Sequence, residues 1–261
     1  MKKVLIMFLA VCMLLSVASC SININLDFDI NKKSEGVMTY AQYEAAALDS
    51  TVTIETYVQA TQSWWKDENK TIGSITCYTC DGEGAYFLYN MPCDEATAKK
   101  LVPGTKIRVT GIKSEWSGEV EVTFDADATN VFEILSDMTY VAEPVEISAA
   151  QLASADLIKK QNQLASISNL TVVASNEEGA AFLYKWDGSG SHDANSDLYF
   201  KVQDENGNEY TFLVESYLCD NTTAVYKAVE DLQVGQKINL VGFLYWYNGV
   251  QLHTVEVTTV K

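Results

Sequence analysis

The sequence predicts a mainly β protein with short helices, built as two consecutive five-stranded β-barrels, each with a helix between its third and fourth strands. The segment 104–118 recurs without a gap at 235–249, and the identical positions are Gly104/Gly235, Lys106/Lys237, Ile107/Ile238, Gly111/Gly242 and Gly118/Gly249. Apolar and polar residues alternate at the start of each copy, which is typical of a half-buried strand. A second alternating run follows each copy and a helical segment precedes it, so the repeated unit ends in a β-hairpin.

The first unit is predicted to span 38–136. It opens with a helix over 39–48, where Thr39 and Gln42 have the spacing of a capping box. Strands over 51–60, 72–78 and 85–90 follow, and Asp94 caps a second helix over 94–101. The hairpin from 104 to 124 completes the unit, and its mid-strand Gly111 predicts a bend or bulge.

The second unit, 145–261, repeats this order after a linker at 137–144. Ser148 and Gln151 form a second capping-box pattern at the start of a helix over 148–158. Strands over 165–174, 198–203 and 209–214, a helix over 222–232 and a hairpin from 235 to 257 follow. The turn at Asn206-Gly207 is a strong hairpin signal. Because the linker is short, we expect the two units to touch.

The order strand, strand, strand, helix, strand, strand resembles the OB-fold, a five-stranded barrel that binds oligonucleotides and oligosaccharides. The segments 109–118 and 240–252 look like the fourth and fifth strands of anticodon-binding-like OB domains. The resemblance implies a tandem of OB-like barrels. The usual ligand of that family is single-stranded nucleic acid, held by basic grooves with stacking aromatic residues.

Residues 1–19 are predicted to be a signal peptide. Lys2 and Lys3 precede an apolar run over 4–15 that is too short to span a bilayer, and small residues follow it. The segment 17–20, Val-Ala-Ser-Cys, resembles the lipobox of bacterial lipoproteins, which implies lipidation of Cys20 and a lipid-anchored, extracytoplasmic protein at the cell membrane. An ordinary signal peptide with an incidental cysteine is the alternative. Residues 20–37 then form a tether, predicted to be a mostly disordered spacer rather than a strand.

The charge argues against nucleic acid as a partner. The formal net charge is −17, and without the signal peptide 16 basic residues face 35 acidic ones, which gives −19. Both halves are acidic, with seven basic against fifteen acidic residues over 38–136 and seven against sixteen over 143–261. Affinity for phosphodiesters depends largely on cations that displace counterions, and this composition offers no basic half.

Aromatic residues cluster at the loops where OB-folds hold their ligands, the loop after the first strand and the loop between the last two. The predicted ligand-binding residues are Trp64, Trp65, Trp116, Trp186, Tyr245, Trp246 and Tyr247. Aromatic faces beside carboxylates and amides suit neutral sugars. The alternative is that these side chains belong to the barrel cores, where aromatic residues are common.

Four cysteines remain outside the signal peptide and Cys20. Cys77 and Cys80 have Cys-x-x-Cys spacing, but a zinc site needs a second pair, and the sequence has none nearby. Cys93 and Cys219 each precede a capping aspartate. We expect structural roles for all four, with a Cys77–Cys80 bridge left open because an exported chain leaves the reducing cytosol.

The segment 186–197 is a loop that only the second unit has. Asp193, Asn195 and Asp197 show the alternate spacing of a calcium loop, but Leu198 stands where an EF-hand needs glycine. We therefore interpret it as a solvated hairpin loop and predict no metal and no cofactor.

No catalytic pattern is recognisable: the two histidines, His192 and His253, lie in different regions, and no nucleophile elbow or phosphate loop occurs. The sequence therefore predicts a membrane-anchored, non-catalytic binding module whose ligand is a glycan or another uncharged extracellular molecule. The alternatives are a structural or docking protein that contacts another envelope protein, and an OB-type nucleic-acid binder.

Overall fold

A computed structural model describes residues 29–125 and 128–260, with no description of the side chains at 136 and 137. The predicted signal peptide, Cys20 and the first part of the tether lie outside the described residues. Within the described ranges, no helix combines the length and the apolar character needed to cross a membrane.

The first sheet contains six strands; one short helix precedes it and a second lies between its third and fourth strands. Its elements are α1 (Tyr40–Ala45), β1 (Thr51–Thr61), β2 (Gly73–Cys80), β3 (Ala85–Cys93), α2 (Glu95–Ala98), β4 (Thr105–Trp116), β5 (Glu119–Thr123) and β6 (Phe132–Thr139). The strand order is β1-β2-β3-β5-β4-β6, and β1 also pairs with β4 in antiparallel register from Thr51↔Ile112 to Tyr57↔Lys106.

The second sheet contains seven strands. Its elements are β7 (Val145–Glu146), α3 (Ala149–Leu152), a 3₁₀ helix (Ala155–Lys160), β8 (Leu164–Val173), β9 (Phe182–Tyr184), β10 (Leu198–Gln203), β11 (Glu209–Val214), α4 (Ala224–Glu230), β12 (Lys237–Trp246) and β13 (Val250–Thr259). The strands are ordered β7-β8-β12-β13-β11-β10-β9, and β8 also pairs with β10. Five strands therefore close into a barrel: β8, β10, β11, β13 and β12 in spatial order. In chain order α4 lies between the third and fourth of these strands, β11 and β12. This is the strand order and helix position of an OB-fold.

The predicted caps at Thr39, Asp94 and Ser148 are confirmed, although the helices are shorter than expected; Asp220 is not a cap, because Thr223 caps α4. Thr39 and Gln42 form one complete capping box, and Ser148 and Gln151 form the other. The Asp94 side chain accepts a hydrogen bond from the Thr97 amide at the start of α2. The helix predicted over 148–158 is divided, because Ser154 caps a separate 3₁₀ helix.

The repeated glycines lie where strands approach each other closely. The register between β12 and β13 shifts between Val241 and Gly242, so the expected bulge is present there. A Cβ atom on Gly242 would lie 2.5 Å from the His253 carbonyl oxygen. A Cβ atom on Gly111 would lie 2.5 Å from Val122 Cγ1. Both positions therefore need a residue without a side chain.

Three strands were not expected from the sequence: β6, β7 and β9. The strand β6 runs alongside β4 and extends into the predicted linker, while β9 lies just before the loop 186–197 and pairs with β10. The short β7 pairs with β8 in parallel.

The described end of the tether packs against the first sheet. Lys33 Nζ lies 2.6 Å from Asp81 Oδ2 and also donates to the Glu55 carbonyl oxygen at 2.6 Å. Arg108 Nη2 donates to Ser34 Oγ at 2.8 Å. Residues 29–37 are therefore held by ion pairing, in contrast to the disordered spacer expected from composition.

Each sheet has its own apolar core, and a third cluster joins the two. Tyr78 and Phe87 of the first sheet pack with Phe243 of the second, and the Tyr78 and Phe243 rings stack with centroids 4.4 Å apart. Polar contacts continue this joint, because the Trp246 amide donates to Glu119 Oε2 at 2.9 Å and the Asn248 amide donates to the Ser117 carbonyl at 2.7 Å. The two units touch, as the short linker predicts.

Candidate functional site: an aromatic cleft between the two sheets

A large cavity lies between the two sheets. Its volume is about 1080 Å³, close to the upper end of ordinary ligand sites. We call it the aromatic cleft; its aromatic lining includes Trp65, Phe87, Tyr89 and Trp116 from the first unit, and Trp186, Tyr199, Tyr217, Tyr245 and Tyr247 from the second. Both units thus contribute walls to one site.

Several of these rings are exposed to solvent. The exposed fraction is 76% for Trp186 and 61% for Trp116. Trp116 is the last residue of β4 and precedes the tight turn at Ser117 and Gly118, which have φ angles of 54° and 95°. Large indole rings are usually well buried, so this degree of exposure in a concave site indicates a surface that contacts a ligand.

Trp65 is held at the edge of the cleft by its polar contacts. Its backbone bridges to Ser74, and its indole N–H donates to Asn90 Oδ1 at 3.2 Å. The Lys70 ammonium lies 5.6 Å from the centre of the ring. These contacts fix the orientation of the indole while one face stays accessible.

Two of the seven predicted ligand-binding residues are core residues. Trp246 is 9% exposed and packs into the second core, because it lies between Tyr245 and Tyr247 on β12 and successive strand residues point to opposite faces. Trp64 packs against the first core, where its indole N–H donates to the Cys93 carbonyl at 2.9 Å. Trp64 and Trp246 are not among the residues that line the cleft, and their packing at the cores is the alternative that the sequence left open.

The structure brings the other five together. Trp65, Trp116, Trp186, Tyr245 and Tyr247 all line the aromatic cleft, as proposed from their loop positions.

Several residues that line the cleft were not predicted as site residues from the sequence, namely Phe87, Tyr89, Tyr199, Tyr217 and His253. Phe87 and Tyr89 are two positions apart on β3 and their rings stack, so strand parity places them on one face. That alternation was available in the sequence, but nothing local showed that the face meets a second unit.

Amide and ionisable side chains complete the lining. The amides are Gln62, Asn90 and Gln251, and the charged groups are Lys201, Asp197 and Glu215. Burial, with the nearby charge of Asp197, raises the pKa of Glu215 to about 7. Asp197 Oδ1 accepts from the Ser216 amide at 2.8 Å. The cleft consequently carries less negative charge near neutral pH than its carboxyl count indicates.

The cysteines are structural. Cys77, Cys80, Cys93 and Cys219 are free thiols, so the bridge between Cys77 and Cys80 that the sequence left open is not formed. Cys77 and Cys93 lie in the first core, and burial raises the pKa of Cys80 to about 12.

The loop with calcium-like spacing satisfies its carboxylates internally. Asp193 accepts from the Asn195 amide and from the Ser191 and Ser196 hydroxyls at 2.8 to 3.0 Å. Across residues 29–125 and 128–260, no group of three or more His, Cys, Asp or Glu residues is arranged to hold a metal ion.

The barrel and the aromatic cleft define a mainly β protein of OB-like topology with an open binding site. No protein-family model matches the sequence, and no curated protein matches it.

Several solved structures, two of them complexes with DNA, are similar to the chain at low identity. The p204 HINb domain is 12% identical, with 79% of this chain and 95% of that one covered and a TM-score of 0.35. A murine DNA-binding protein bound to double-stranded DNA is 13% identical, with 80% and 98% covered and a TM-score of 0.33. A replication protein A heterotrimer bound to single-stranded DNA is 11% identical, with 83% and 50% covered and a TM-score of 0.33.

These structures correct two predictions. A glycan or another uncharged molecule was expected as the ligand, and the net charge was taken to argue against nucleic acid; the similar structures include complexes with DNA, in agreement with the alternative of an OB-type nucleic-acid binder. The physical reason for the error is that net charge describes the whole surface. It does not describe the cleft, where stacking faces dominate.

Proposed function

We propose that the protein is a non-catalytic binding module whose aromatic cleft holds unpaired bases of single-stranded nucleic acid. The observation that carries this proposal is the convergence of exposed rings from both units on one cleft, above all Trp116 and Trp186. Stacking of a base on an aromatic side chain contributes about 1–3 kcal/mol and tolerates any sequence. Because the TM-scores of the similar structures are low, the proposal depends on the cleft itself.

The charge of the cleft determines how such a ligand is bound. Lys201 is the basic residue among the lining side chains, which also include the carboxyls of Asp197 and Glu215. Phosphates would therefore face solvent while the bases enter the cleft. Affinity for a single strand falls with salt by a slope of about −0.7 per neutralised phosphate, so we expect a slope no steeper than about −1.

The amides suit the edges of bases. Gln62, Asn90 and Gln251 supply donors and acceptors beside the rings, which is the combination that single-stranded readers use. A duplex would not present its base faces, so we expect weaker binding of double-stranded DNA.

The test is fluorescence anisotropy with a labelled thymidine 12-mer, with the same strand in a duplex for comparison. Trp116→Ala and Trp186→Ala should each weaken binding of the single strand about tenfold, since each removes one stacking face. Leu48→Ala is the matched control, because Leu48 is an exposed apolar residue outside the cleft. Unchanged affinity in both tryptophan variants, or no binding by the wild type, would refute the proposal.

We further infer that the first sheet is a second OB-like barrel, which makes the chain a tandem. The order β1-β2-β3-β5-β4, the return pairing of β1 with β4 and the position of α2 between β3 and β4 support this, since the second sheet has the same order. Chains divided within 137–144 should each unfold cooperatively in urea. Failure of the first half to do so would argue against two autonomous barrels.

We also propose that the protein is a bacterial lipoprotein, exported and anchored to the cell membrane through Cys20. The support is the order of charge, apolar run and small residues that ends at Cys20. Labelled palmitate should be incorporated into the wild type and into a Cys12→Ser control, but not into Cys20→Ser. Equal labelling of all three would contradict the anchor.

A further inference from the structure

We propose that His253 presents a fixed N–H donor to the aromatic cleft and thereby selects bases with a hydrogen-bond acceptor at that position. This inference rests on the proposed function and names the chemical feature of the ligand that the site reads. His253 is 5% exposed, lies on β13 and lines the cleft.

The first step is the hydrogen bond between Tyr78 and His253. Tyr78 Oη lies 2.6 Å from His253 Nδ1, and both side chains are buried. Either atom could be the donor on distance alone. Gln62 Nε2 also donates to Tyr78 Oη, at 3.5 Å. The Tyr78 oxygen thus already accepts one hydrogen bond.

The proton of Tyr78 decides the direction. Burial raises the pKa of the Tyr78 hydroxyl well above its usual value, so the hydroxyl keeps its proton. That proton needs an acceptor, and within the described residues His253 Nδ1 is the one the structure provides. If Nδ1 carried a proton instead, the buried O–H would have no acceptor, which is costly. Nδ1 therefore accepts from Tyr78.

The second step is the charge of the imidazole. Burial lowers the pKa of His253 to about 3, so the ring is neutral at ordinary pH. A neutral imidazole with an accepting Nδ1 carries its proton on Nε2. No acceptor for Nε2–H occurs in the part of the chain that the structure describes, although the side chain is more than nine-tenths buried. The donor is available to whatever enters the cleft.

The third step is the rigidity of the ring. It stacks on Tyr245 with centroids 4.2 Å apart, and its backbone is paired with Phe243 on β12 and with Leu213 on β11. The stacking on Tyr245 and the backbone pairing together fix the direction in which the Nε2–H group points. It adds a hydrogen bond to the stacking of bases on Tyr245 and its neighbours, and it rejects a ring that has no acceptor to offer.

The binding test compares a thymidine 12-mer with a 12-mer of difluorotoluene nucleotides, which have the shape of thymine but lack its strong acceptors. Other contacts also read thymine, so the informative quantity is the ratio of the two affinities. This ratio should be about tenfold larger for the wild type than for His253→Phe, which keeps a ring for stacking but has no donor. Leu48→Ala is the control, because Leu48 lies outside the cleft, and it should leave the ratio of the two affinities unchanged.

The tautomer of His253 can be measured in the wild type, so this second test does not depend on correct folding of His253→Phe. In ¹⁵N spectra of the wild type, His253 should show the tautomer with its proton on Nε2, and Tyr78→Phe should shift the ring toward a mixture of tautomers. A proton on Nδ1 in the wild type would overturn the inference, as would equal affinity ratios for wild type and His253→Phe. Absence of oligonucleotide binding by the wild type would instead refute the proposed function, and with it any role for this donor in reading bases.

Discussion

Replacing Glu119 by glutamine is expected to stabilise the protein at neutral pH. Glu119 is completely buried at the joint between the two sheets, where its Oε2 accepts from the Trp246 amide. Among the residues that the structure describes, no donor reaches its Oε1 or Oδ1 of the neighbouring Asn162. Two adjacent acceptors need a proton between them, so the site favours the protonated acid. A glutamine amide would supply the missing donor permanently.

The magnitude follows from the pKa of Glu119, which burial raises from 4.5 to about 9. A raised pKa means that the favourable neutral form is fully present below pH 4.5, and that stability is lost as the pH rises from 4.5 toward 9. Each unit corresponds to about 1.36 kcal/mol, so the loss at pH 7 amounts to about 3 kcal/mol. Glutamine has no such loss. The difference in unfolding free energy between Glu119→Gln and the wild type should therefore grow from about zero at pH 4.5 to about 3 kcal/mol at pH 7.

Urea denaturation of both proteins at several pH values between 4.5 and 8 measures this difference. The other buried carboxyls are present in both proteins and largely cancel. Glu95→Gln is a control, because Glu95 is an exposed residue of α2. A Glu119→Gln variant that is less stable than the wild type at pH 7, or a difference that does not change with pH, would refute the reasoning.

Three further predictions concern the cleft, a strand crossing and the tether. Oligonucleotide affinity should fall several-fold between pH 6 and pH 8 as Glu215, with a pKa of about 7, gains charge, and Glu215→Gln should abolish this dependence in anisotropy titrations; a persistent dependence would contradict it. Gly242→Ala should destabilise by about 1–3 kcal/mol in urea, since its Cβ would meet the His253 carbonyl oxygen, and unchanged stability would show that the strands can separate. Lys33→Ala should cost about 2–3 kcal/mol in urea because it leaves the buried Asp81 carboxylate without its cation, and adding Asp81→Asn, which removes that charge, should recover part of the loss; no recovery would contradict the reasoning.

Much of the fold could be predicted because the responsible interactions are local. The capping boxes at Thr39 and Ser148 depend on side chains three residues away, and both are present. The bulge at Gly242 depends on a backbone position that a side chain would block. Short-range patterns of this kind can be recognised in the sequence alone. The strand β6 was not predicted because its alternation of apolar and polar residues is weak. In addition, β5 lies between β6 and its partner β4 in the chain.

The site was harder to predict because it is formed by contacts between distant segments. Loop position alone grouped Trp246 with its neighbours, although strand parity turns Trp246 into the core and leaves Tyr245 and Tyr247 in the cleft. His253 appeared as an isolated strand residue, and its pairing with Tyr78 depends on how the two units dock. Net charge is a poor guide to the site for a related reason, since it averages over the whole surface and does not describe the cleft.

The division of the cleft between two sheets has a mechanical consequence. A nucleic-acid strand that stacked on Trp116 and Trp186 at the same time would connect the two sheets, so that neither half of the protein could unfold without releasing the ligand. Ligand binding should then raise the melting temperature of both halves and merge their two unfolding transitions into one. Oligonucleotides too short to reach both walls would leave the halves melting independently.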